Sequence, residues 1–201
     1  MSSMTFAEIK HKLKSKTVAI AGCGGLGSNC AVALARVGIG TLVLVDFDIV
    51  SEPNLNRQYY FLSQVGEAKA VALKRVIHQV NSSVSVIAYE TKLDPEHILR
   101  YFKDCDVIVE AFDQAGEKEM LIETVLSAFP DKPLVVGVGM AGWGMNESIH
   151  YRRSGNLHIC GDEDTEISEA QPPLAPRVGM VANMQANVVM EILLEGDRVT
   201  E

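Results

Sequence analysis

The stretch from Thr17 to Asp48 constrains this chain more than any other. A short apolar run, Val18-Ala19-Ile20-Ala21, leads into Gly22-Cys23-Gly24-Gly25-Leu26-Gly27. Ser28 to Val37 reads as a helix rich in Ala and Val, stopped by Gly38 and Gly40. A second apolar run, Thr41 to Val45, closes on Asp46. The order strand, glycine turn, helix, strand, acid is the G-x-G-x-x-G fingerprint in the context that gives it meaning. One glycine permits the tight turn, one lets the backbone approach a phosphate, and one lets helix and strand pack closely. The helix then begins with free N–H groups aimed at an anion. Asp46 stands where a carboxylate accepts hydrogen bonds from a ribose. This half of the chain is expected to bind a nucleotide through Gly22, Gly24, Gly25, Gly27 and Asp46. NAD, FAD, SAM and ATP proteins share the device, so the turn alone does not choose among them. The plainer alternative is a glycine turn kept for packing.

The remaining pattern is strand and helix in alternation. Strands are expected over Lys16–Ala21, Thr41–Val45, Val84–Tyr89, Cys105–Ala111 and Leu134–Val138. Helices are expected over Met4–Leu13, Gly66–Val80, Asp94–Phe102 and Ala115–Phe129, the third opened by Pro95 at the favoured first position. Apolar strands alternating with helices imply an α/β fold, a Rossmann-like, mostly parallel sheet with helices on both faces. After Gly137 the texture changes. Gly139, Gly142 and Gly144 surround Trp143, and two short antiparallel strands, Ser148–Arg152 and Leu157–Ile159, flank a Ser154-Gly155-Asn156 hairpin. Gly161 to Pro173 is acidic and reads as a mobile loop. A largely apolar last helix is expected over Ala175–Leu194, buried in the core or in a subunit interface. With 201 residues, 47% hydrophobic, a single domain over 1–201 is expected.

A formal charge of −8 argues against nucleic acid as main partner, which wants a basic face, but leaves room for a local anion site. The four cysteines, Cys23, Cys30, Cys105 and Cys160, form no C-x-x-C pair, so structural zinc is not expected, and they suit a reducing compartment. His150 and His158 could face each other across the hairpin but lack a third ligand. The polar first sixteen residues do not read as a signal peptide, and no apolar run approaches the ~20 residues of a membrane span. A cytoplasmic protein is expected.

Three further positions carry chemistry. After Asp46 the chain spends about a dozen residues on a polar loop that holds Asp48, Asn54, Asn56, Arg57 and Gln58. Guanidinium is the group of choice for phosphate, which singles out Arg57; a solvated surface arginine is the alternative. Lys69 opens a helix, where the dipole favours acids, and so reads as a cation with a task or as an ordinary surface lysine. Asp113 follows a strand's carboxyl end, where ligands gather in open sheets; it reads equally as a cap on the next helix. Several separate cationic and polar groups suit a triphosphate with Mg²⁺ better than a nicotinamide, because Mg²⁺ takes few protein carboxylates.

These residues together resemble the adenylating enzymes of the ThiF and MoeB group, relatives of the ubiquitin-activating enzymes. The likeness rests on Gly22-Cys23-Gly24-Gly25-Leu26-Gly27-Ser28-Asn29, on Val45-Asp46-Phe47-Asp48-Ile49-Val50 with Asn54-Leu55-Asn56-Arg57-Gln58, on Val65-Gly66-Glu67-Ala68-Lys69, on Glu110-Ala111-Phe112-Asp113, and on Ala175-Pro176-Arg177-Val178-Gly179. It covers nearly the whole chain. The short length and missing zinc cysteines look most like the compact ThiF form, which activates the sulfur carrier ThiS for thiamin thiazole synthesis.

The resemblance implies ATP-dependent adenylation of a small ubiquitin-like carrier's C-terminal glycine, by a homodimer. It implies that Asp46 holds the ribose, that Asn54, Arg57 and Gln58 line the phosphate pocket with Asp48, that Lys69 pairs with phosphate oxygens, and that Asp113 binds Mg²⁺. Arg57, Lys69 and Asp113 would be the catalytic set. Gly161 to Pro173 would be the crossover loop over the carrier's tail. Two departures stand out. No arginine precedes Arg36 to serve a partner subunit's site, leaving Lys10, Lys12 or Lys14. Cys160 lies ahead of the loop in which some relatives place a carrier-linking cysteine. The competing functions are a tRNA-modifying dehydratase of the same fold, an NAD-dependent oxidoreductase and a non-catalytic partner subunit.

Overall fold

In this computed structural model residues 4–195 are described. Residues 1–3 and 196–201, the ends of the expected 1–201 unit, lie outside the described residues. Strands β1 (Thr17–Ala21), β2 (Thr41–Val45), β4 (Val107–Glu110) and β5 (Leu134–Gly137) are buried at nearly every position. Such runs are stable only in a sheet covered on both faces. With β3 (Ser85–Tyr89), β6 (His150–Ser154) and β7 (Leu157–Gly161) they form one seven-stranded sheet in the order β3-β2-β1-β4-β5-β7-β6. Every pairing is parallel except that of β6 with β7.

Two apolar layers seal the faces. Helices α1 (Phe6–Leu13), α2 (Gly25–Val37), α3 (Lys69–Val80) and α6 (Ala175–Glu195) contribute Leu13, Leu34, Leu73, Ile77, Val181 and Val189 to one, against Ile20, Leu42 and Leu44. Helices α4 (Pro95–Phe102) and α5 (Ala115–Ala128) contribute Ile98, Phe102, Leu121 and Val125 to the other, against Ala19, Val43 and Ile108. Each large side chain so buried contributes about 1.5–3 kcal/mol. Helix α6 thus belongs to the core of the chain itself. Local signals agree with the layers: Thr5 and Glu8 close a capping box on α1, and the Asp94 carboxylate accepts from His97 N at 2.8 Å to start α4.

Four expectations are corrected. Helix α2 begins at Gly25, so two glycines assigned to the turn are already helical. Helix α3 begins at Lys69, since Gly66 takes φ +92 and turns the chain first. His150 and His158 do not oppose each other: the antiparallel register sets His150 against Gly161 and Arg153 against His158. The acidic segment after β7 is anchored at its start. Asp162 is buried and its carboxylate pairs with Arg177 of α6 while accepting from Thr165 N at 2.8 Å and Asp164 N at 2.9 Å. Among the described residues no helix is long and apolar enough to cross a membrane.

Candidate active site

The chain leaves β1 toward β2 and β3, then crosses back to lay β4 on the other side of β1. At such a switch point the loops diverge beyond the strands' carboxyl ends and leave a crevice. Here it is a cavity of about 640 Å³ whose walls include Gly22, Gly24, Gly25, Asp46, Asp48, Arg57, Gln58, Lys69 and Asp113.

The glycine turn sits at its floor. Gly22 takes φ +93, its N–H donates to Val45 O at 2.9 Å, and a side chain there would press on the carbonyl of Ala111. Gly27 does not reach the cavity; a Cβ there would overlap the carbonyl oxygen of Gly22, so its role is packing of α2 on the turn. Asp46 Oδ2 accepts from Cys23 N at 2.6 Å and Oδ1 from Asp48 N at 2.7 Å. Burial pushes the Asp46 carboxyl up, and these two N–H groups and Lys69 pull it back. The Tyr60 hydroxyl donates to Cys23 O at 2.7 Å, pinning the turn from behind.

Charged groups line the crevice. The Arg57 stem packs against Gly25, and its Nη1 donates to Asn56 Oδ1 at 2.8 Å. Burial lowers the Arg57 guanidinium's pKa, while the negative charge of Asp113 raises it; the two are electrostatic neighbours. Asp113 is exposed to the cavity and makes no hydrogen bond among the described residues. It does not cap α5: that position is Gln114, with no side-chain cap. Lys69 is 5% exposed, and its ammonium lies 2.7 Å from Asp48 Oδ2. Asn54 lies off the cavity wall, where its Oδ1 accepts from Ser51 Oγ at 2.8 Å. Gln58 lines the wall with its Oε1 buried and unpartnered.

One pair escaped the sequence reading. Lys118 on α5 donates to Glu110 Oε2 at 2.6 Å and to Gly137 O at 2.9 Å, and it lines the cavity. Glu110 is fully buried; burial raises its pKa, and the Lys118 charge opposes this. A glutamate ending an otherwise apolar strand is the signal that could have found it, because a buried acid needs a partner. Cys160, by contrast, is fully buried in β7, and burial pushes its thiol up to about 12. Such a thiol is neither accessible nor activated.

Arg57, Lys69, Lys92 and Lys118 line the cavity together with the Asp113 carboxylate, a set that suits a polyanion with a divalent cation. Asp113 fits Mg²⁺, which asks for one or two carboxylates and completes its shell with phosphate and water oxygens. No group of three or more His, Cys, Asp or Glu able to hold a metal by themselves occurs among the described residues.

The model of the ThiF family matches residues 3–200. The adenylyltransferase and sulfurtransferase MOCS3 of Dictyostelium discoideum is 33% identical over 194 residues, 90% of this chain and 44% of that protein. The probable adenylyltransferase/sulfurtransferase MoeZ of Mycobacterium tuberculosis is 34% identical over 129 residues, 64% of this chain and 32% of its own length. The chain thus spans less than half of these relatives. Among solved structures, the tRNA N6-threonylcarbamoyladenosine dehydratase TcdA of E. coli in complex with AMP shares the fold, with a TM-score of 0.84 at 20% identity over 93% of this chain and 89% of its own.

Proposed function

The chain belongs to the ThiF family, and from that premise we propose that it adenylates the C-terminal carboxylate of a small ubiquitin-like carrier protein. The substrate that supplies the adenylyl group is ATP, and the proposed carrier is a ThiS-like sulfur carrier serving thiamin thiazole synthesis. The observation that supports the reading is the gathering of Arg57, Lys69 and Asp113 on the walls of one cavity, with the glycine turn and Asp46 at its floor. A nicotinamide dinucleotide has no triphosphate and calls for no divalent cation, so that set suits ATP better.

The carrier's carboxylate oxygen bonds to the α-phosphorus, and the bond from that phosphorus to pyrophosphate breaks. The products are an acyl-adenylate and free pyrophosphate. A carboxylate is already ionised at pH 7, so no general base is required. Asp46, with both oxygens fixed by backbone N–H groups, is preset to accept from ribose hydroxyls. Arg57 and Lys69 neutralise the charge that shifts toward the leaving pyrophosphate, as preorganised cations do in phosphoryl chemistry. Asp113 would hold Mg²⁺, which supplies further charge neutralisation on the phosphates. The proposed working form is a cytoplasmic homodimer of a single adenylation unit.

The test is ATP–pyrophosphate exchange with candidate carriers, read together with the mass of each carrier after incubation with ATP and magnesium. Exchange that depends on a carrier, with an added adenylyl mass, supports the reading. Exchange driven by tRNA and indifferent to any carrier protein would replace it with the dehydratase type.

A further inference from the structure

The ion pair of Glu110 with Lys118 occupies a place where an apolar side chain would serve the fold. Glu110 ends β4, a central strand, opposite Ala21 of β1 and Val136 of β5. The rest of β4 is Val107-Ile108-Val109, and Glu110 is as fully buried as they are. Replacing a buried ion pair by apolar residues of similar volume often leaves stability unchanged or higher, so the pair is weak evidence of a stabilising role. What the carboxylate does supply is two directed bonds. Oε1 accepts from Phe112 N at 2.6 Å, and Oε2 accepts from Lys118 Nζ at 2.6 Å.

Both bonds bear on the residue between them. Asp113 follows Phe112 and precedes the first turn of α5, and it makes no hydrogen bond of its own among the described residues. Its carboxylate is therefore placed by the backbone on either side. On the strand side, Ala111 N donates to Ala21 O at 2.9 Å and Phe112 N to Glu110. On the helix side, Gln114 supplies no side-chain cap, and Lys118 joins the opening turns of α5 to Glu110 and to Gly137 O of β5. Gln185 of α6 fixes the strand end itself, its Nε2 donating to Glu110 O at 2.9 Å. Glu110 and Lys118 thus close a clasp from strand to helix around the turn that carries Asp113.

We propose that Glu110 and Lys118 are positioning residues that hold Asp113 in place for Mg²⁺. The inference rests on the metal role given to Asp113 under the proposed function. With one protein carboxylate offered to the ion, the backbone that carries it sets both distance and direction. Removing a partner that orients a metal-binding side chain typically weakens metal binding about 10–100-fold. Lys118 also lines the cavity, so the test must separate this role from a direct contact with the nucleotide.

The experiment measures the affinity of a non-hydrolysable ATP analogue by calorimetry, once with saturating Mg²⁺ and once with EDTA. The ratio of the two affinities is the metal's share. Asp113→Ala should lower that ratio about 10–100-fold. Glu110→Leu combined with Lys118→Met removes both charges together, so that neither is stranded. That paired variant should lower the ratio about tenfold or more while the EDTA affinity stays within about threefold. Added to Asp113→Ala, it should lower the ratio no further, because residues that act through one group are not additive. Glu110→Gln, which keeps an oxygen for Phe112 N but releases Lys118, is held to the same outcomes if the paired variant does not fold. An unchanged ratio in the paired variant overturns the inference, and so does a further fall on top of Asp113→Ala. A loss of equal size with Mg²⁺ and with EDTA also overturns it, since Lys118 would then touch the nucleotide itself. An unchanged ratio in Asp113→Ala instead overturns the metal role of Asp113 and takes this inference with it.

Discussion

Lys69 Nζ lies 2.7 Å from Asp48 Oδ2, yet the lysine side chain is 6% exposed and the carboxylate 50%. The buried partner depends on the exposed one. A buried cation without a counter-ion is costly; Asp48 supplies that counter-ion, and on the proposed function a phosphate of ATP would replace it. Asp48→Ala is therefore expected to destabilise the nucleotide-free protein by about 1–3 kcal/mol. Saturating ATP with magnesium should restore most of the loss. Thermal unfolding with and without the nucleotide measures both; an Asp48→Ala loss that ATP leaves untouched would show that Lys69 does not change partners.

Arg57 and Asp113 are expected to separate chemistry from folding. Asp113 is exposed and makes no hydrogen bond among the described residues, so Asp113→Ala should change stability by less than about 0.5 kcal/mol. It should nevertheless abolish carrier-dependent pyrophosphate exchange. Arg57→Ala should cost about 3 kcal/mol of transition-state stabilisation, read as a fall in kcat. A change confined to the Michaelis constant for the carrier would contradict that role.

The order of elements was legible because each signal is local. The glycine turn, the apolar runs of β1 and β2 and the proline opening α4 all act within a few residues. Lys69 stood out for the same reason, as a cation set against a helix dipole. What stayed hidden depends on partners far along the chain. Asp162 looked like part of a loose acidic loop because its counter-ion, Arg177, is fifteen residues away on α6. Glu110 and Lys118 belong to different elements, and only the sheet brings Gly137 up to the same ammonium. The unpartnered oxygen of Gln58 is a property of the folded wall and has no signature in composition.

The Asp162–Arg177 pair fixes a pH dependence. Both side chains are nearly inaccessible, and the guanidinium also donates to Gly144 O at 2.6 Å and Ser148 Oγ at 2.9 Å. Burial pushes the Asp162 carboxyl up, but hydrogen bonds from Thr165, Arg177 and Asp164 outweigh it and bring the carboxyl to about 2. The folded value lies below the unfolded value of about 3.9, so the pair's stabilisation is full above pH ~4 and is lost as pH falls toward 2. The loss across that window should be on the order of 2 kcal/mol, visible in denaturant titrations at stepped pH. Asp162→Asn should flatten it. Arg177→Met should destabilise at neutral pH by about 3–5 kcal/mol, because it strands a buried carboxylate.

On the proposed function, Cys160 is the candidate for a covalent link to the carrier, and its burial argues against one. It is fully buried in β7, and burial holds its thiol at about 12, so almost no thiolate exists at neutral pH. Cys23, Cys30 and Cys105 are buried too, with their thiols likewise raised. Iodoacetamide at pH 8 should therefore leave the native protein unmodified at all four and label them only in denaturant. Cys160→Ala should leave pyrophosphate exchange unchanged and cost about 1 kcal/mol of stability, the usual scale for a small core truncation. A carrier–protein adduct cleaved by a thiol reductant and absent in Cys160→Ala would show that β7 opens during turnover and that the buried geometry is not the one that reacts.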